Sequence, residues 1–304
     1  MARPACLPHS RPMVGTVTFS GFGEAGQAVA GAPGWTGSVR AYDRLTYDPA
    51  TRPAKEADYR RAGVDGVAAL AGAMLGAECV LSLVTADQAL HVARDAAAPI
   101  GPGTLFCDLN SVSPGTKRQA AAAIEAAGGC YVDVAVMAPV HPARLAVPLL
   151  LSGREAPAAA RALAALGFAN VRVVGATVGE ASSIKMIRSV IVKGLEALTA
   201  EAMLAAEAAG VTGEVLASLD ASERVRPWAE RADYNLDRML VHGLRRAEEL
   251  EEVVKTLADL GVDPAMSRAT AVRQRGLGTL GIAPAPAGLA AKIEAITDRK
   301  ADAA

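Results

Sequence analysis

Aromatic side chains are scarce in this sequence and make up 4% of its 304 residues. The core must therefore be built from alanine, valine, leucine and isoleucine, and the abundance of alanine favours helices. Hydrophobic residues still account for 51% of the chain, which excludes a chain that is mainly disordered. The length is typical of about two domains.

Cysteine is also scarce, and its spacing argues against a metal-binding protein. The four cysteines form no C-x-x-C pair, and none has metal-ligand spacing to the four histidines. The sequence therefore predicts no metal site. Cys79 and Cys107 lie in apolar, strand-like runs, where we expect buried free thiols. Free thiols are typical of a reducing compartment, so we expect a cytoplasmic protein.

The chain lacks both a charge excess and a long apolar run. Its formal net charge is −1, which argues against general electrostatic binding of nucleic acid. No apolar run reaches the roughly 18–20 residues of a membrane span, so no membrane partner is predicted. Residues Met1–Met13 contain three prolines and two arginines without the apolar segment of a signal peptide. We expect a loose tail there.

Strands alternate with helices over residues 14–180. The predicted strands are Thr16–Phe19, Val39–Asp43, Glu78–Val84, Thr104–Asp108, Cys130–Val136, Leu149–Ser152 and Val171–Val174. The predicted helical segments are Glu24–Ala32, Ala54–Leu75 with interruptions, Pro114–Ala127 and Ala156–Leu166. This alternation predicts an α/β Rossmann domain with a doubly wound parallel sheet.

Residues 181–304 contain no convincing strand pattern. Ser182–Ala209 has the composition of one long helix, and Arg245–Leu260 is a second helix that ends before Gly261. The sequence therefore predicts an all-α second domain.

The pattern G-x-G-x-x-G occurs twice, so the pattern alone decides little. The copy Gly21-Phe22-Gly23-Glu24-Ala25-Gly26 follows a predicted strand and begins a predicted helix, as a dinucleotide-binding turn does. The copy at Gly276–Gly281 follows an arginine-rich stretch and is soon followed by Pro284, and we expect it in a loop.

The first copy has the chemistry of a dinucleotide site. Its glycines allow a tight turn, a close approach of the backbone to a pyrophosphate, and close packing of helix on strand. The helix N-terminus supplies free N–H groups for the phosphates. Asp43 ends the second strand, where a carboxylate bonds ribose hydroxyls and favours NAD, whereas Arg44 would hold the 2′-phosphate of NADP. A tight turn without a ligand is the alternative.

Four motifs carry a resemblance to a known family. They are Gly21–Gly26, Asp108–Pro114, Tyr131–Val136 and Gly179–Lys185. In this order they resemble the motifs G-L-G-x-M-G, D-x-S-T-x-x-P, F-V-D-A-P-V-S-G-G and G-x-G-x-x-x-K of the β-hydroxyacid dehydrogenases. That group includes 3-hydroxyisobutyrate dehydrogenase and 6-phosphogluconate dehydrogenase. The resemblance implies a Rossmann domain, a helical partner domain, a nicotinamide cofactor and a homodimer.

The chain departs from the family pattern around the implied substrate site. Met137-Ala138-Pro139 stands where the family has a Ser-Gly-Gly that binds the substrate carboxylate, and Ser189 stands where it has asparagine. The late Lys-Asp pair of the family is also missing. The chain thus resembles a divergent branch of the family, and these departures leave the identity of its substrate open.

The resemblance assigns the general acid/base role to Lys185, and its position agrees with that role. Lys185 lies near the start of the long helix, beside the apolar residues Ile184, Met186 and Ile187. A free lysine holds its proton too tightly for efficient exchange near neutral pH, and burial beside a cofactor weakens that hold. The alternative is a surface lysine on an amphipathic helix.

Two further residues share the helix face of Lys185. Ser189 is a second catalytic candidate or a neutral helix serine, and Lys193 is a candidate substrate ligand. A second stripe on this helix is predicted to face the core, and it consists of Ile184, Ile187, Ile191, Leu195 and Leu198.

His242, Arg245 and Arg246 are predicted to precede or open a helix. An arginine fork binds carboxylate or phosphate, and the histidine would assist it. The alternative is a solvated helix start in which these side chains pair with Glu248, Glu249 and Glu252.

Two strand ends supply the remaining cofactor candidates. Asn110 and Ser111 are expected near the nicotinamide ribose, with a plain helix-start turn as the alternative. Leu83, Val84 and Thr85 leave the end of another strand, where open α/β sheets bind ligands, with simple strand-end packing as the alternative.

These features predict an oxidoreductase that uses NAD or NADP. It would transfer a hydride between the nicotinamide and a small β-hydroxyacid or related polyol acid. Two alternatives stay open, namely a dinucleotide-binding sensor or scaffold without catalysis, and an imine reductase.

Overall fold

The computed structural model describes residues 15–222 and 225–301. The predicted tail Met1–Met13 lies outside these residues. The described chain divides into two compact units, one ending at Ser189 and the other beginning at Val190. The division falls inside a long helix, later than the predicted domain boundary at residue 181.

The first unit is built around one sheet of eight strands. The strands are β1 (Thr16–Ser20), β2 (Ser38–Tyr42), β3 (Asp65–Gly66), β4 (Cys79–Ser82), β5 (Leu105–Asp108), β6 (Cys130–Val136), β7 (Leu149–Ser152) and β8 (Val171–Gly175). Their order in the sheet is β3-β2-β1-β4-β5-β6-β7-β8. The first six strands have the order of a Rossmann sheet, which confirms the predicted fold class.

The sheet departs from a fully parallel arrangement at β7. This strand pairs antiparallel with β6, while β8 runs parallel to β7. A parallel partner for β6 would need a crossover connection, usually a helix. Between β6 and β7 the chain forms only the short 3₁₀ turn Arg144–Ala146, so it returns directly alongside β6.

Helices cover both faces of the sheet. They are α1 (Glu24–Ala30), α2 (Arg52–Ala62), α3 (Leu70–Met74), α4 (Ala89–Ala97), α5 (Pro114–Ala126) and α6 (Ala156–Ala165). The helix α4 was not predicted from the sequence. The strand β3 was predicted as part of a largely helical segment, because a two-residue strand with exposed side chains shows no alternation of burial.

Two apolar clusters hold the layers together. One contains Phe19, Phe22 and Tyr59, and the other contains Phe106 and Tyr131. All four residues of β4 and of β5 are buried, as expected for strands covered on both faces. Cys79 and Cys107 are buried free thiols on these strands, as predicted.

The rest of the described chain is helical. The helices are α7 (Glu180–Ala208), α8 (Thr212–Ser222), α9 (Trp228–Asp259), α10 (Ala265–Gly278) and α11 (Leu289–Ala301). From residue 181 to 222 and from 225 to 301 there is no strand, in agreement with the all-α prediction. The predicted helix Arg245–Leu260 is the later part of the much longer α9.

The loop prediction for the second G-x-G-x-x-G copy was wrong for residues 276–278, whereas residues 279–281 lie outside the helix. Gly276 and Gly278 lie in the last turn of α10. A Cβ atom on Gly278 would lie 2.5 Å from the backbone nitrogen of Leu244, and one on Gly243 would lie 2.4 Å from the carbonyl oxygen of Gln274. Gly243 and Gly278 therefore let α9 and α10 cross at a distance that no other residue allows.

The core-facing stripe predicted on α7 was also wrong for the single chain. The exposed fraction is 70% for Ile187, 47% for Ile191 and 49% for Leu195. Ile184 and Leu198 are exposed as well. The helical period was read correctly, but a period identifies an apolar face without identifying what covers it.

Candidate functional site

The glycine-rich turn lies between β1 and α1, at the carboxyl end of the sheet. Gly21 has φ +90°, and a Cβ atom there would lie 2.4 Å from the carbonyl oxygen of Leu83. Around Gly23 a Cβ atom would meet no atom within 4 Å, so the backbone is open to a ligand. A Cβ atom on Gly26 would press on the ring of Phe22 at 3.2 Å. The three glycines thus occupy the positions that the dinucleotide motif requires.

Side chains hold both backbone groups of Phe22. Its N–H donates to Oδ2 of Asp43 at 2.8 Å, and its carbonyl accepts from Nζ of Lys55 at 2.8 Å. Its ring is fully buried and contacts those of Phe19 and Tyr59, so Phe22 reaches a ligand only through the backbone. Sequence reasoning missed Lys55, because a lysine in a polar helix gives no sign that it is buried.

Asp43 also begins the turn that follows β2. Its Oδ1 accepts from the backbone nitrogen of Leu45 at 3.0 Å, so each carboxylate oxygen bonds one backbone group. Each oxygen keeps capacity for a further hydrogen bond. Arg44 is exposed beside it.

A cavity of about 680 Å³ opens in front of this turn. Gly21, Gly23, Asp43, Arg44 and Lys55 contribute to its wall. Leu83, Val84 and Thr85 line it from the end of β4. The structure thus brings predicted cofactor residues of three strand ends together. Four predicted residues of the turn do not line this cavity, namely Phe22, Glu24, Ala25 and Gly26.

A second cavity of about 300 Å³ adjoins the end of β5. Asn110, Ser111 and Lys185 line it together with Ala25 and Val84. The Nζ atom of Lys185 donates to Oγ of Ser111 at 2.5 Å. Two predicted site residues that are 74 positions apart in sequence thus meet in one pocket.

The divergent loop after β6 lies partly in the same cavity. Ala138 and Pro139 line it, whereas Met137 packs beside Ala135 and donates its backbone N–H to the carbonyl of Pro148. The loop brings no polar side chain to the cavity. Where the resembling family has Ser-Gly-Gly, this chain therefore presents an apolar wall.

Asn110 is held by four hydrogen bonds. Its backbone N–H donates to Asp108, and its side-chain amide donates to Oγ of Ser82 at 2.9 Å. Its Oδ1 accepts from the N–H of Val84 at 2.7 Å, and its carbonyl accepts from Val112. Asn110 therefore joins the ends of β4 and β5 and fixes the loop that carries Ser111.

The second catalytic candidate, Ser189, does not line either cavity. Its hydroxyl donates to the carbonyl of Lys185 at 2.9 Å, which is a bond within the helix. Lys193 is exposed further along α7, in the second unit. Their roles stay predictions.

His242, Arg245 and Arg246 lie in the interior of α9, so the prediction that they precede or open a helix was wrong. The helix already begins at Trp228, so the segment before His242 is itself helical. No helix start signal lies near His242. Arg245 forms an ion pair with Glu249. The Nε atom of Arg246 is buried and has no hydrogen-bond partner among the described residues. Substrate binding by these three residues stays a prediction.

Within residues 15–222 and 225–301, no cluster of three or more histidine, cysteine, aspartate or glutamate side chains is placed to hold a metal ion. None of the helices in these ranges combines the length and apolar character of a membrane span.

The glycine turn, the strand order and the adjoining cavities define a dinucleotide-binding Rossmann protein. Residues 16–178 match the family model described as the NAD binding domain of 6-phosphogluconate dehydrogenase. Residues 206–277 match a domain of unknown function, DUF1932. The chain belongs to the family that carries this NAD-binding domain, which confirms the family resemblance and the nicotinamide cofactor.

Solved structures agree with this assignment. A conserved hypothetical protein from Sinorhizobium meliloti 1021 is 39% identical, with a TM-score of 0.60 over 94% of this chain and 97% of that one. The conserved protein MTH1747, described as structurally similar to 3-hydroxyacid dehydrogenases, is 31% identical, with a TM-score of 0.55 over 87% and 97%. An imine reductase from Streptomyces aurantiacus, 22% identical with a TM-score of 0.67 over 92% and 98%, shares the fold.

Proposed function

We propose that this protein is an NAD(P)-dependent oxidoreductase that transfers a hydride to or from a small β-hydroxyacid or a related polyol acid. The observation that carries the proposal is the contact of Lys185 with Ser111, at 2.5 Å, in a cavity that also contains Asn110. A bound nicotinamide supplies or accepts the hydride. The reaction then also needs a group in the same cavity that accepts the proton of the substrate hydroxyl during oxidation and returns it during reduction.

Lys185 is proposed to move that proton. Its ammonium donates to Ser111, which holds Nζ at one place on the cavity wall. In the direction of oxidation the neutral amine takes the hydroxyl proton, and in the direction of reduction the ammonium returns it. Leu83, Val84 and Pro139 keep much of the wall apolar.

Imine reduction is the second candidate. The apolar loop residues Ala138 and Pro139 replace a polar Ser-Gly-Gly, and such a wall suits an apolar cyclic imine as well as a small acid. The presence of Lys185 favours the hydroxyacid, because an alcohol requires a base and an iminium carbon does not.

A substrate panel tests the proposal. The purified protein is assayed with 3-hydroxyacids and NAD or NADP, and with the matching oxo acids or cyclic imines and the reduced cofactors. Absorbance of the reduced nicotinamide reports turnover. Turnover of hydroxyacids supports the proposal, and turnover of imines alone favours the second candidate. Tight cofactor binding without any turnover favours a sensor or scaffold.

Cofactor preference is expected to depend on Asp43. We propose that its carboxylate favours NAD because it accepts a hydrogen bond from a ribose hydroxyl and repels the 2′-phosphate of NADP. Asp43→Asn should weaken NADH binding about tenfold, the loss of about one hydrogen bond to a charged group, while NADPH binding weakens less. Fluorescence titration with both cofactors measures the ratio, and Asp48→Asn in the following turn is the control. Equal loss for both cofactors would show that Asp43 acts only by holding the glycine turn.

A homodimer formed through α7 is proposed from the exposure of this helix. From Ile191 to Ala200 every position except Gly194 is exposed, and Ile191, Val192, Leu195 and Leu198 are apolar. A long apolar helix that is exposed on all sides needs a partner surface. A second copy of this chain supplies the same helix under two-fold symmetry.

Ile191→Asp should therefore convert the dimer to a monomer. Burying an unpaired carboxylate costs several kcal/mol, so the dimer dissociation constant should rise about a hundredfold or more. Light scattering after size exclusion measures the mass, with Arg154→Asp on the first unit as the control. A wild-type mass of one chain, or a variant that stays dimeric, would contradict this interface.

A further inference from the structure

A fully buried lysine lies between two buried aspartates in the first unit. The side chain of Lys117 is 1% exposed, and its Nζ lies 3.0 Å from Oδ1 of Asp108 and 3.4 Å from Oδ1 of Asp133. It also donates to the backbone carbonyl of Asp108 at 2.6 Å. Neither cavity is lined by this lysine, so it is not placed to touch cofactor or substrate.

The two aspartates are direct neighbours in the sheet. Asp108 ends β5 and is paired in register with Asp133 of β6. Like charges that face each other across two strands repel, and burial strengthens the repulsion. The ammonium of Lys117 lies between them and offsets this repulsion, so the approach of these two strand positions depends on the lysine.

The carboxylate of Asp108 organises the loop that precedes Ser111. Its Oδ1 accepts from the N–H of Asn110 at 2.9 Å, and its Oδ2 accepts from the hydroxyl of Tyr131 at 2.6 Å. Burial, together with the charge of Asp108, raises the pKa of Tyr131 well above its ordinary value, so the hydroxyl keeps the proton that it donates. The bonds of Asn110 then fix the position of Ser111.

The carboxylate of Asp133 organises the start of α7, which carries Lys185. Its Oδ2 accepts from the N–H groups of Gly179 at 3.2 Å and Ser182 at 3.0 Å. The hydroxyl of Ser152 donates to the same oxygen at 3.2 Å and accepts from the N–H of Ala181 at 2.9 Å. A strand residue thus caps a helix that starts 47 positions later in the chain, and a carboxylate is favoured at this end of a helix.

We propose that Lys117 is a positioning residue. By holding Asp108 and Asp133 together it sets the distance between the loop of Ser111 and the first turns of α7, and thereby the contact of Ser111 with Lys185. The inference rests on the proposed role of Lys185 in proton transfer. Lys117 itself takes no part in the chemistry.

Hydrogen exchange tests the coupling without any substrate. Lys117→Met keeps the length of the side chain and removes its charge. Amides of residues 109–113 and 179–185 should then both exchange about tenfold faster, while those of α1 keep their rate, because only the bonds around the two aspartates are loosened. Ser152→Ala should speed exchange in residues 179–185 alone. Lys255→Met, which replaces an exposed lysine of α9, should leave the exchange rates of both segments unchanged.

Kinetics test the consequence for the site. With a substrate that the wild type turns over, Lys117→Met should lower kcat about tenfold or more, with KM and the NADH dissociation constant changed less than about threefold. A purely structural role would lower the amount of active protein and would leave the kcat of each active site unchanged, which active-site titration with cofactor distinguishes. Should Lys117→Met not fold, Lys117→Gln replaces it, because its amide can still donate a hydrogen bond to the carbonyl of Asp108 and lacks the charge, and the same loosening of both segments is expected.

Two results would overturn the inference. One is a Lys117→Met variant in which residues 109–113 and 179–185 exchange at wild-type rates. The other is a variant in which the exchange rate of α1 rises as much as that of these two segments. A wild type that turns over nothing in the panel counts against the proposed function and not against the coupling, which the exchange rates decide on their own. Activity that survives in a variant with loosened segments refutes the positioning role and leaves the proposed function intact.

Discussion

Replacing Lys185 by methionine is expected to lower kcat by about 10²–10⁴-fold, which is the typical contribution of a general acid or base. The cofactor should still bind, because the glycine turn and Asp43, the proposed cofactor contacts, lie at a different part of the sheet. The substitution keeps an unbranched side chain and removes the group that exchanges protons. Stopped-flow or steady-state rates, combined with fluorescence titration of NADH, measure the two quantities separately.

The control for this experiment is Lys255→Met, which removes an exposed lysine from α9. It should leave kcat and cofactor affinity at wild-type values. A Lys185→Met enzyme with wild-type kcat would contradict proton transfer by this residue. If the same variant loses activity toward hydroxyacids and retains it toward cyclic imines, imine reduction does not use the lysine and the second candidate gains support.

Gly278→Ala is expected to destabilise the second unit by about 3 kcal/mol, the upper part of the range for overpacking. Alanine normally favours a helix over glycine, so helix propensity alone predicts the opposite sign. The loss arises because the new Cβ atom would lie 2.5 Å from the backbone nitrogen of Leu244. Backbone atoms cannot move aside as a side-chain end can, so α9 and α10 must separate.

Gly276→Ala is the matched control, two residues earlier in the same helix. A Cβ atom there meets no atom within 4 Å, so the variant should be as stable as the wild type or up to about 1 kcal/mol more stable. Urea unfolding followed by circular dichroism gives both free energies. Equal stability of the two variants would contradict the close crossing of α9 and α10 at Gly278.

Much of the first unit could be predicted from the sequence. The bounds of β6 and β7 agree with the prediction, since strands buried on both faces are mainly apolar, although Asp133 and Ser152 are buried polar exceptions. The cofactor turn was recognisable because its glycines follow a strand and open a helix. β3 and the reversal at β7 were not recognisable, because they depend on which strand the chain lies beside and leave no mark on residue spacing.

Sequence reasoning about individual side chains succeeded where a motif carried them and failed elsewhere. Lys185 and Ser111 were both predicted as site residues, and they lie in contact. Lys55, Lys117 and Asp133 are buried and bonded on several sides, yet a lysine or aspartate in sequence is read as a surface residue by default. His242, Arg245 and Arg246 were placed at a helix start because the helical pattern before them was overlooked.

The two G-x-G-x-x-G copies illustrate the division between sequence and structure. By itself the sequence determined the Rossmann unit, the helical second unit, the dinucleotide turn at Gly21–Gly26 and the candidate lysine, because periodicity and motif context are local properties. Only the tertiary structure decided that Gly278 packs one helix against another, that Asp43 and Lys55 hold Phe22, and that Lys117 joins Asp108 to Asp133. These contacts link residues far apart in the chain, and their strength comes from burial, which depends on the whole fold.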